Sequence, residues 1–360
     1  MSASDDRGTQ PSPRAEPAPS SARRSDARRP APYPREPRAS AERLARGEFF
    51  TAAPVAQLAL AALAPFEAHV RVLDPTCGDG AFLAAAHSTG LASRASTDCE
   101  RCSLVGVDID RDAVAKARAR VPEARIVEGD VLAPSLVERV GTFDVVIGNP
   151  PYVRAGTLDP ILKRTRAAAL QADWPELERS SLDAVARLAD PAAACILRAL
   201  RLTKPGGRLA LVVSTALLDT DAAAPLWRLV ERVAHVRAII VAPTERWFDD
   251  AAVNSMLIVL ERCATEGADR DEVRLLRLRS STATAAREVG LDAIAAHADE
   301  RRAPASQPAT WGPALRAPAA WWRWRAAAGD LLVPLRELAE IRRGLTTGAN
   351  DVFYVTRDDA

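Results

Sequence analysis

The segment at residues 70–83 is Val70-Arg71-Val72-Leu73-Asp74-Pro75-Thr76-Cys77-Gly78-Asp79-Gly80-Ala81-Phe82-Leu83. It begins as a short apolar strand at residues 70–73, continues through a turn with two glycines, and ends in the start of a helix at Ala81. Glycine lets the backbone approach a ligand closely and adopt positive φ, and the first turn of a helix presents free N–H groups. The stretch therefore predicts a strand, turn and helix unit with a ligand site in the turn.

Six further short apolar segments follow, at residues 104–107, 125–127, 143–147, 208–213, 236–241 and 255–260. Short apolar strands separated by helical segments, such as those predicted at 55–63 and 112–120, are typical of a mostly parallel sheet covered on both faces. The loop before the last strand is too short for a crossover helix. We therefore predict a doubly wound α/β fold with a seven-stranded, mostly parallel sheet whose last strand is antiparallel, and ligands at the carboxyl ends of the strands.

Composition divides the chain into four regions. Residues 1–40 are rich in Pro, Ala, Ser and Arg and predict a disordered tail, whereas residues 41–265 hold the α/β pattern. Residues 266–335 are interpreted as a connector and residues 336–360 as the start of a further domain. The connector contains Trp321-Trp322-Arg323-Trp324-Arg325, which could stack on bases and contact phosphates or could pack against the main domain.

Several classes of protein are disfavoured by the sequence. It has no run of about 18 apolar residues and no signal peptide, so we expect a cytoplasmic protein with no membrane partner. Cys99 and Cys102 have metal-ligand spacing, but no second pair follows, so no metal site is predicted. A formal net charge of +1 leaves nucleic-acid binding open, because basic residues can gather on one face.

Three strand ends carry aspartates: Asp74 ends the first strand, Asp108 the second and Asp130 the third. A carboxylate can accept hydrogen bonds from ribose hydroxyls or from an adenine amino group. Each aspartate alone could instead cap a helix. Three of them in register favour a nucleoside ligand.

The fourth strand ends in Asn149-Pro150-Pro151-Tyr152. An exocyclic amino nitrogen is a poor nucleophile, because its lone pair is delocalised into the ring. The Asn149 side-chain oxygen and the Pro150 carbonyl could accept its two N–H bonds, while the prolines fix the backbone and Tyr152 stacks on the substrate. The alternative is a proline-bounded strand end with an aromatic residue packed into the sheet.

These motifs resemble those of DNA amino-methyltransferases that use S-adenosylmethionine. The likeness covers residues 74–83, 105–110, 129–132 and the Asn-Pro-Pro-Tyr motif, and it includes an upstream segment, residues 48–54, in which two alanines separate Thr51 from Pro54. The resemblance implies that S-adenosylmethionine contacts Thr51, Asp74, Thr76, Gly78, Gly80, Asp108, Ile109, Asp130, Val131 and Asn149. It implies catalytic roles for Asn149, Pro150, Pro151 and Tyr152, and for Phe248, which would pack against a flipped base.

Residues 341–354 resemble the entrance to a target-recognition domain in long adenine methyltransferases of restriction-modification type. The resemblance therefore implies methylation of adenine N6 in double-stranded DNA, with a flipped adenine and with a restriction endonuclease or a separate recognition subunit as partner. Two other classes of enzyme share the Asn-Pro-Pro-Tyr chemistry, namely methyltransferases of release-factor glutamine and of ribosomal RNA guanine. A truncated fragment that binds cofactor or DNA without turnover is a further alternative.

Overall fold

The computed structural model describes residues 51–67, 69–91, 103–151, 160–188, 191–248, 254–264, 272–333 and 335–340. The tail predicted at residues 1–40 and the segment at 341–360 lie outside this part. The strands are β1 (Val72–Asp74), β2 (Leu104–Asp108), β3 (Arg125–Glu128), β4 (Phe143–Gly148), β5 (Thr203–Ser214), β6 (Ala234–Val241), β7 (Ser255–Arg262), β8 (Glu272–Leu278) and β9 (Ala298–Pro304).

Helices occupy most of the intervening segments. They are α1 (Ala53–Leu63), α2 (Ala81–Ser88), α3 (Arg111–Arg120), α4 (Leu136–Val140), α5 (Pro160–Asp173), α6 (Arg179–Ala186), α7 (Ala192–Leu202), α8 (Ala216–Asp219), α9 (Ala224–Val233), α10 (Thr282–Ala285), α11 (Leu291–Ala295), α12 (Trp311–Arg316), α13 (Ala319–Ala328) and α14 (Leu335–Leu338). Short 3-10 turns lie at Asp221–Ala223, Pro308–Thr310 and Gly329–Leu331. None of the helices described here is long and apolar enough to cross a membrane.

The described strands form one sheet in the order β3-β2-β1-β4-β5-β7-β6-β8-β9. Strands β1 to β5 run parallel, whereas β7 pairs antiparallel with both β5 and β6. The predicted doubly wound architecture is confirmed, including the antiparallel seventh strand. The chain moves outward from β1 to β3 and then returns to β4 on the other side of β1. This reversal opens a crevice at the carboxyl ends of β1 and β4, where such sheets bind ligands.

The predicted number of strands is wrong, because the sheet has two more, β8 and β9. Both lie within residues 266–335, the range interpreted as a connector. In β8, exposed or half-buried Arg and Glu alternate with buried Val and Leu, and in β9 only Ala298 and Ala303 are buried. Neither strand forms a continuous apolar run, because β9 is the outermost strand of the sheet and β8 lies beside it.

Successive residues of the central strands point to opposite faces of the sheet, as the pleat requires. On β1, Val72 packs in the core beneath α1, α2 and α3, whereas Leu73 packs in the core beneath α4 to α7, α9 and α12. The helix predicted at 55–63 is confirmed as α1, and the helix predicted at 112–120 is α3. Two apolar layers therefore hold the strand ends in fixed positions.

Candidate active site

The loop between β1 and α2 is shaped by two glycines in left-handed conformations. Gly78 has a φ of +52° and Gly80 a φ of +85°. A Cβ on Gly80 would lie 3.3 Å from the Cα of Ala117 in α3, whereas one on Gly78 would meet no described atom within 4 Å. The Cys77 N–H donates to the Val107 carbonyl at 2.8 Å and ties the loop to β2. The loop therefore presents bare backbone to open space at the start of α2.

Asp74 lies beneath this loop and is fully buried. Its Oδ1 accepts from the Thr76 N–H at 3.1 Å, and its Oδ2 has no hydrogen-bond partner in the described structure. Burial raises the pKa of Asp74 well above its ordinary value, the Thr76 hydrogen bond lowers it, and the charges of Asp108 and Asp79 raise it further. Clustered carboxylates with an unused acceptor favour a positively charged ligand in this place.

Asp108, the last residue of β2, accepts hydrogen bonds that fix the loop after β1 and the turn after β2. Its Oδ2 accepts from the Gly78 N–H at 2.7 Å, and its Oδ1 accepts from the Asp110 N–H at 2.9 Å. The cap of α3 is supplied by Asp110, which accepts from two N–H groups of the first helical turn. Asp108 is half-buried and keeps further lone pairs for ligand hydroxyls. Ile109, the next residue, is 70% exposed and offers an apolar surface beside the carboxylate.

Asp130 follows β3 and lies near Asp108, because the Gly129 N–H donates to the Asp108 carbonyl at 2.8 Å. The Asp130 Oδ1 accepts from the Leu132 N–H at 2.8 Å in a tight local turn. This turn leaves the other carboxylate oxygen for a ligand. Val131 is buried, with 7% of its surface exposed.

A buried arginine that the sequence analysis missed supports this turn. Arg198 of α7 is fully buried, and its guanidinium donates to the carbonyls of Val131, at 2.9 Å, and of Ala133. It also forms a buried ion pair with Asp173 of α5. The signal in the sequence was a lone charged residue on the buried face of α7, where its neighbours are apolar. Its partners lie on distant segments, so only the fold brings them together.

Asn149 follows β4, next to β1 in the sheet. Its amide nitrogen donates to the Thr51 hydroxyl at 3.3 Å, and its backbone carbonyl accepts from the Thr76 hydroxyl at 3.3 Å. Its Oδ1 is buried and has no hydrogen-bond partner in the described structure. The structure thus brings together Thr51, Thr76 and Asn149, and it leaves one buried acceptor at the carboxyl end of β4.

The remaining predicted residues differ in position. Pro150 is buried and Pro151 half-buried directly after Asn149, whereas Tyr152 lies outside the described residues. Phe248 is only 4% exposed and belongs to the core that also contains α1. Its neighbour Trp247 is anchored there by a hydrogen bond of 2.9 Å from its indole N–H to the Thr282 hydroxyl.

The residues at the strand ends fit S-adenosylmethionine. The unpartnered oxygens of Asp74 and Asn149, the open backbone at Gly78 and the half-buried carboxylates of Asp108 and Asp130 are what a cationic nucleoside requires. Among the described residues, no group of His, Cys, Asp or Glu side chains could hold a metal ion. The Cys99 and Cys102 pair lies outside the described part of the chain.

Two curated proteins are similar in sequence. The type II methyltransferase M.XamI of Xanthomonas campestris pv. amaranthicola is 25% identical over 318 residues, which cover 85% of this chain and 53% of that protein. The type II methyltransferase M.BanIII of Aneurinibacillus aneurinilyticus is 30% identical over 105 residues, 25% of this chain and 17% of that protein. The matched part of this chain thus spans about half the length of M.XamI and less of M.BanIII.

Solved structures share the fold. A chain from a type I restriction-modification system has a TM-score of 0.55 at 18% identity, covering 84% of this chain and 64% of its own. The methyltransferase subunit of a type I system from Streptococcus thermophilus has a TM-score of 0.52 at 16% identity, covering 72% and 56%. The family model described as N-6 DNA Methylase matches residues 36–289, which include the ends of β1 to β4 and the candidate site residues there. The chain therefore belongs to the N-6 DNA methylase family.

Proposed function

We propose that the chain transfers a methyl group from S-adenosylmethionine to the N6 amino group of adenine in double-stranded DNA. The observation that carries the proposal is the buried, unpartnered Oδ1 of Asn149 at the carboxyl end of β4. A buried acceptor without a donor is costly unless a ligand supplies the donor. An amino group is such a donor, and the family model names the same chemistry.

The residues around the β1 loop would hold the cofactor. Asp108 would accept from the ribose hydroxyls, with Ile109 against the adenine ring, and Asp130 would accept from the adenine amino group. The buried carboxylate of Asp74 and the hydroxyl of Thr51 would face the methionine end, near Asn149. S-adenosylmethionine, when bound, supplies a methyl group on a positively charged sulfur.

Asn149 would act on the target nitrogen. Its Oδ1 accepts one N–H of the substrate amino group and draws the nitrogen lone pair out of conjugation with the ring. Thr51 fixes the orientation of the amide by binding its nitrogen, and Thr76 fixes the backbone carbonyl. The substrate nitrogen would accept the methyl group that the bound cofactor supplies, and the cofactor sulfur would leave as a neutral thioether. The methylated nitrogen then loses a proton to water, so no strong base is required.

The biological setting follows from the relatives. M.XamI and M.BanIII are type II methyltransferases, so we propose a restriction-modification role for this chain, in the cytoplasm, where its DNA would lie. Tyr152 would contact a base flipped from the duplex, whereas Phe248, predicted for the same role, is buried in the core and is left out of this proposal. Residues 336–360 would begin a target-recognition domain, and a restriction endonuclease or a separate recognition subunit would complete the system.

The test is transfer of radiolabelled methyl from S-adenosylmethionine to mixed-sequence duplex DNA, followed by nucleoside analysis. A duplex made only of G·C pairs is the matched control, because it lacks adenine. We expect N6-methyladenine from the first duplex and no label in the second. Label in cytosine would refute the choice of base. If methyl is transferred only when ribosomal RNA or a release factor is offered in place of DNA, the proposed substrate is wrong. If the chain binds the cofactor but transfers methyl to none of them, it is a fragment without catalytic activity.

A further inference from the structure

A basic groove lies at the carboxyl edge of the sheet, beyond the candidate active site. It consists of two cavities of about 550 Å³ and 670 Å³ that share Arg277 and Leu315 as lining residues. The first cavity contains the ends of β5 and β6 and the start of β7, and the second follows β8, β9 and the start of α13. The two cavities adjoin at Arg277 and Leu315, which line both of them.

The groove contains arginines without a carboxylate partner in the described part of the chain, whereas most of its acidic side chains are paired. Arg246, Arg277 and Arg323 line it and have no carboxylate partner among the described residues. Three of its four acidic side chains form ion pairs with arginines, and the fourth, Glu245, accepts a backbone N–H, which does not neutralise its charge. Asp219 is held by Arg316 through two bonds of 3.0 and 2.7 Å, Glu245 accepts from the Thr282 N–H at 2.9 Å, Asp299 pairs with Arg279 at 3.5 Å, and Glu300 pairs with Arg274 at 2.8 Å. The groove therefore presents unpaired guanidinium groups to an anionic ligand.

The Thr215 end of the groove lies close to the unpartnered acceptor of Asn149, whereas Arg277 lies on β8, four strands or about 19 Å across the sheet from β4. Gly148 at the end of β4 pairs with Leu211 of β5, and Thr215, which lines the first cavity, directly follows that strand, four residues after Leu211. Thr215 is therefore about 10 Å from Asn149 in the direction of the strands and about 5 Å from it across the sheet. A DNA strand covers that separation within about three nucleotides, at 3.4 Å of rise each.

We propose that this groove, centred on Arg277, binds the phosphodiester backbone of the duplex that carries the target base. One guanidinium group can donate two parallel hydrogen bonds to the oxygens of a phosphate. The hydroxyls of Thr215 and Thr244, which line the first cavity, are further hydrogen-bond donors. At the far end of the groove, the rings of Trp321 and Trp322 stack under Arg325 at 5.3 and 5.6 Å. This inference rests on the proposed function, because it assumes that the substrate is duplex DNA.

The test compares Arg277→Gln with Arg125→Gln in the full chain. Both variants lose one positive charge, but Arg125 begins β3 at the opposite edge of the sheet. We measure fluorescence anisotropy of mixed-sequence duplexes at several salt concentrations, and the S-adenosylmethionine Kd by calorimetry. We expect Arg277→Gln to weaken DNA binding by on the order of threefold to tenfold, equally across sequences, and to lower the salt slope by about one. The cofactor Kd should not change.

The outcomes separate the two proposals. If the wild-type chain methylates DNA and both variants bind duplex equally with the same salt slope, the groove proposal is wrong and the proposed function stands. If Arg277→Gln changes binding to one sequence only, the residue reads bases and the backbone assignment is wrong. If the wild-type chain neither binds nor methylates duplex DNA, the proposed substrate and the groove fail together.

Discussion

A single methyl group added at Gly148 should disturb the junction between the cofactor loop and the catalytic motif. A Cβ on Gly148 would lie 2.7 Å from the Asp74 Oδ1, where ordinary contact begins at 3.4 Å, so the carboxylate would have to move about 0.7 Å. Asp74 is fully buried and holds the Thr76 N–H, so the movement disturbs the loop. Overpacking of this kind costs about 1–3 kcal/mol.

We also expect Gly148→Ala to bind S-adenosylmethionine about tenfold more weakly, a loss of about 1.4 kcal/mol in binding free energy, because the Asp74 carboxylate is displaced from the site. Calorimetric titration gives the Kd, and thermal unfolding gives the loss of stability. Gly129→Ala is the matched control, because the added methyl group would meet only the flexible end of Arg139, at 3.2 Å. If the two variants bind the cofactor and unfold alike, the close approach of β4 to Asp74 does not matter for the site.

Three further predictions concern buried or paired groups elsewhere. Burial acts to raise the pKa of Asp144, but its ion pair with Lys204 and its other hydrogen bond outweigh this and lower it. Asp144→Asn should therefore reduce the free energy of unfolding above about pH 4, with the difference from wild type shrinking as the pH falls; equal differences at all pH values would contradict this. Burial, followed by the charges of nearby aspartates, raises the pKa of Cys77, so peptide mapping should find this thiol unlabelled by iodoacetamide until the chain is denatured; rapid native labelling would count against it. Arg198→Ala should lower the free energy of unfolding in urea by about 3–5 kcal/mol, because Asp173 is left buried and unpaired; a loss below about 1 kcal/mol would be inconsistent with the buried pair.

The strands could be predicted where both of their faces are buried, because such strands have a continuous run of apolar residues in the sequence. All seven predicted strands form; six lie inside the sheet, and β3, at its edge, still places Ile126 and Val127 against the two apolar cores. Strands β8 and β9 lack such a run, since polar residues at an edge face solvent. Strand β9 lies at an edge and β8 pairs with it, and their mixture of charged and apolar residues resembles a connecting segment, so the sequence did not predict them.

The candidate site residues that lie at the carboxyl ends of strands could be predicted from the sequence. Asp74, Asp108 and Asn149 follow neighbouring strands, so parallel pairing alone brings them to one edge. The contacts that orient them depend on distant segments. The bond between Asn149 and Thr51 spans 98 residues, and the bond between Arg198 and the Val131 carbonyl spans 67. No local pattern encodes such pairs, and the burial of Phe248 in the core was equally hidden.

The proposed mechanism depends on the Asn149 side-chain oxygen, which would activate the substrate nitrogen. The most direct measurement is the single-turnover rate of methyl transfer to adenine by Asn149→Ala, at saturating DNA and S-adenosylmethionine, beside the cofactor Kd of the same variant. Removal of one preorganised hydrogen-bonding group at a reacting atom should lower the rate by about 100-fold or more, while the Kd stays within about threefold of wild type. A variant that transfers methyl at the wild-type rate would contradict this mechanism.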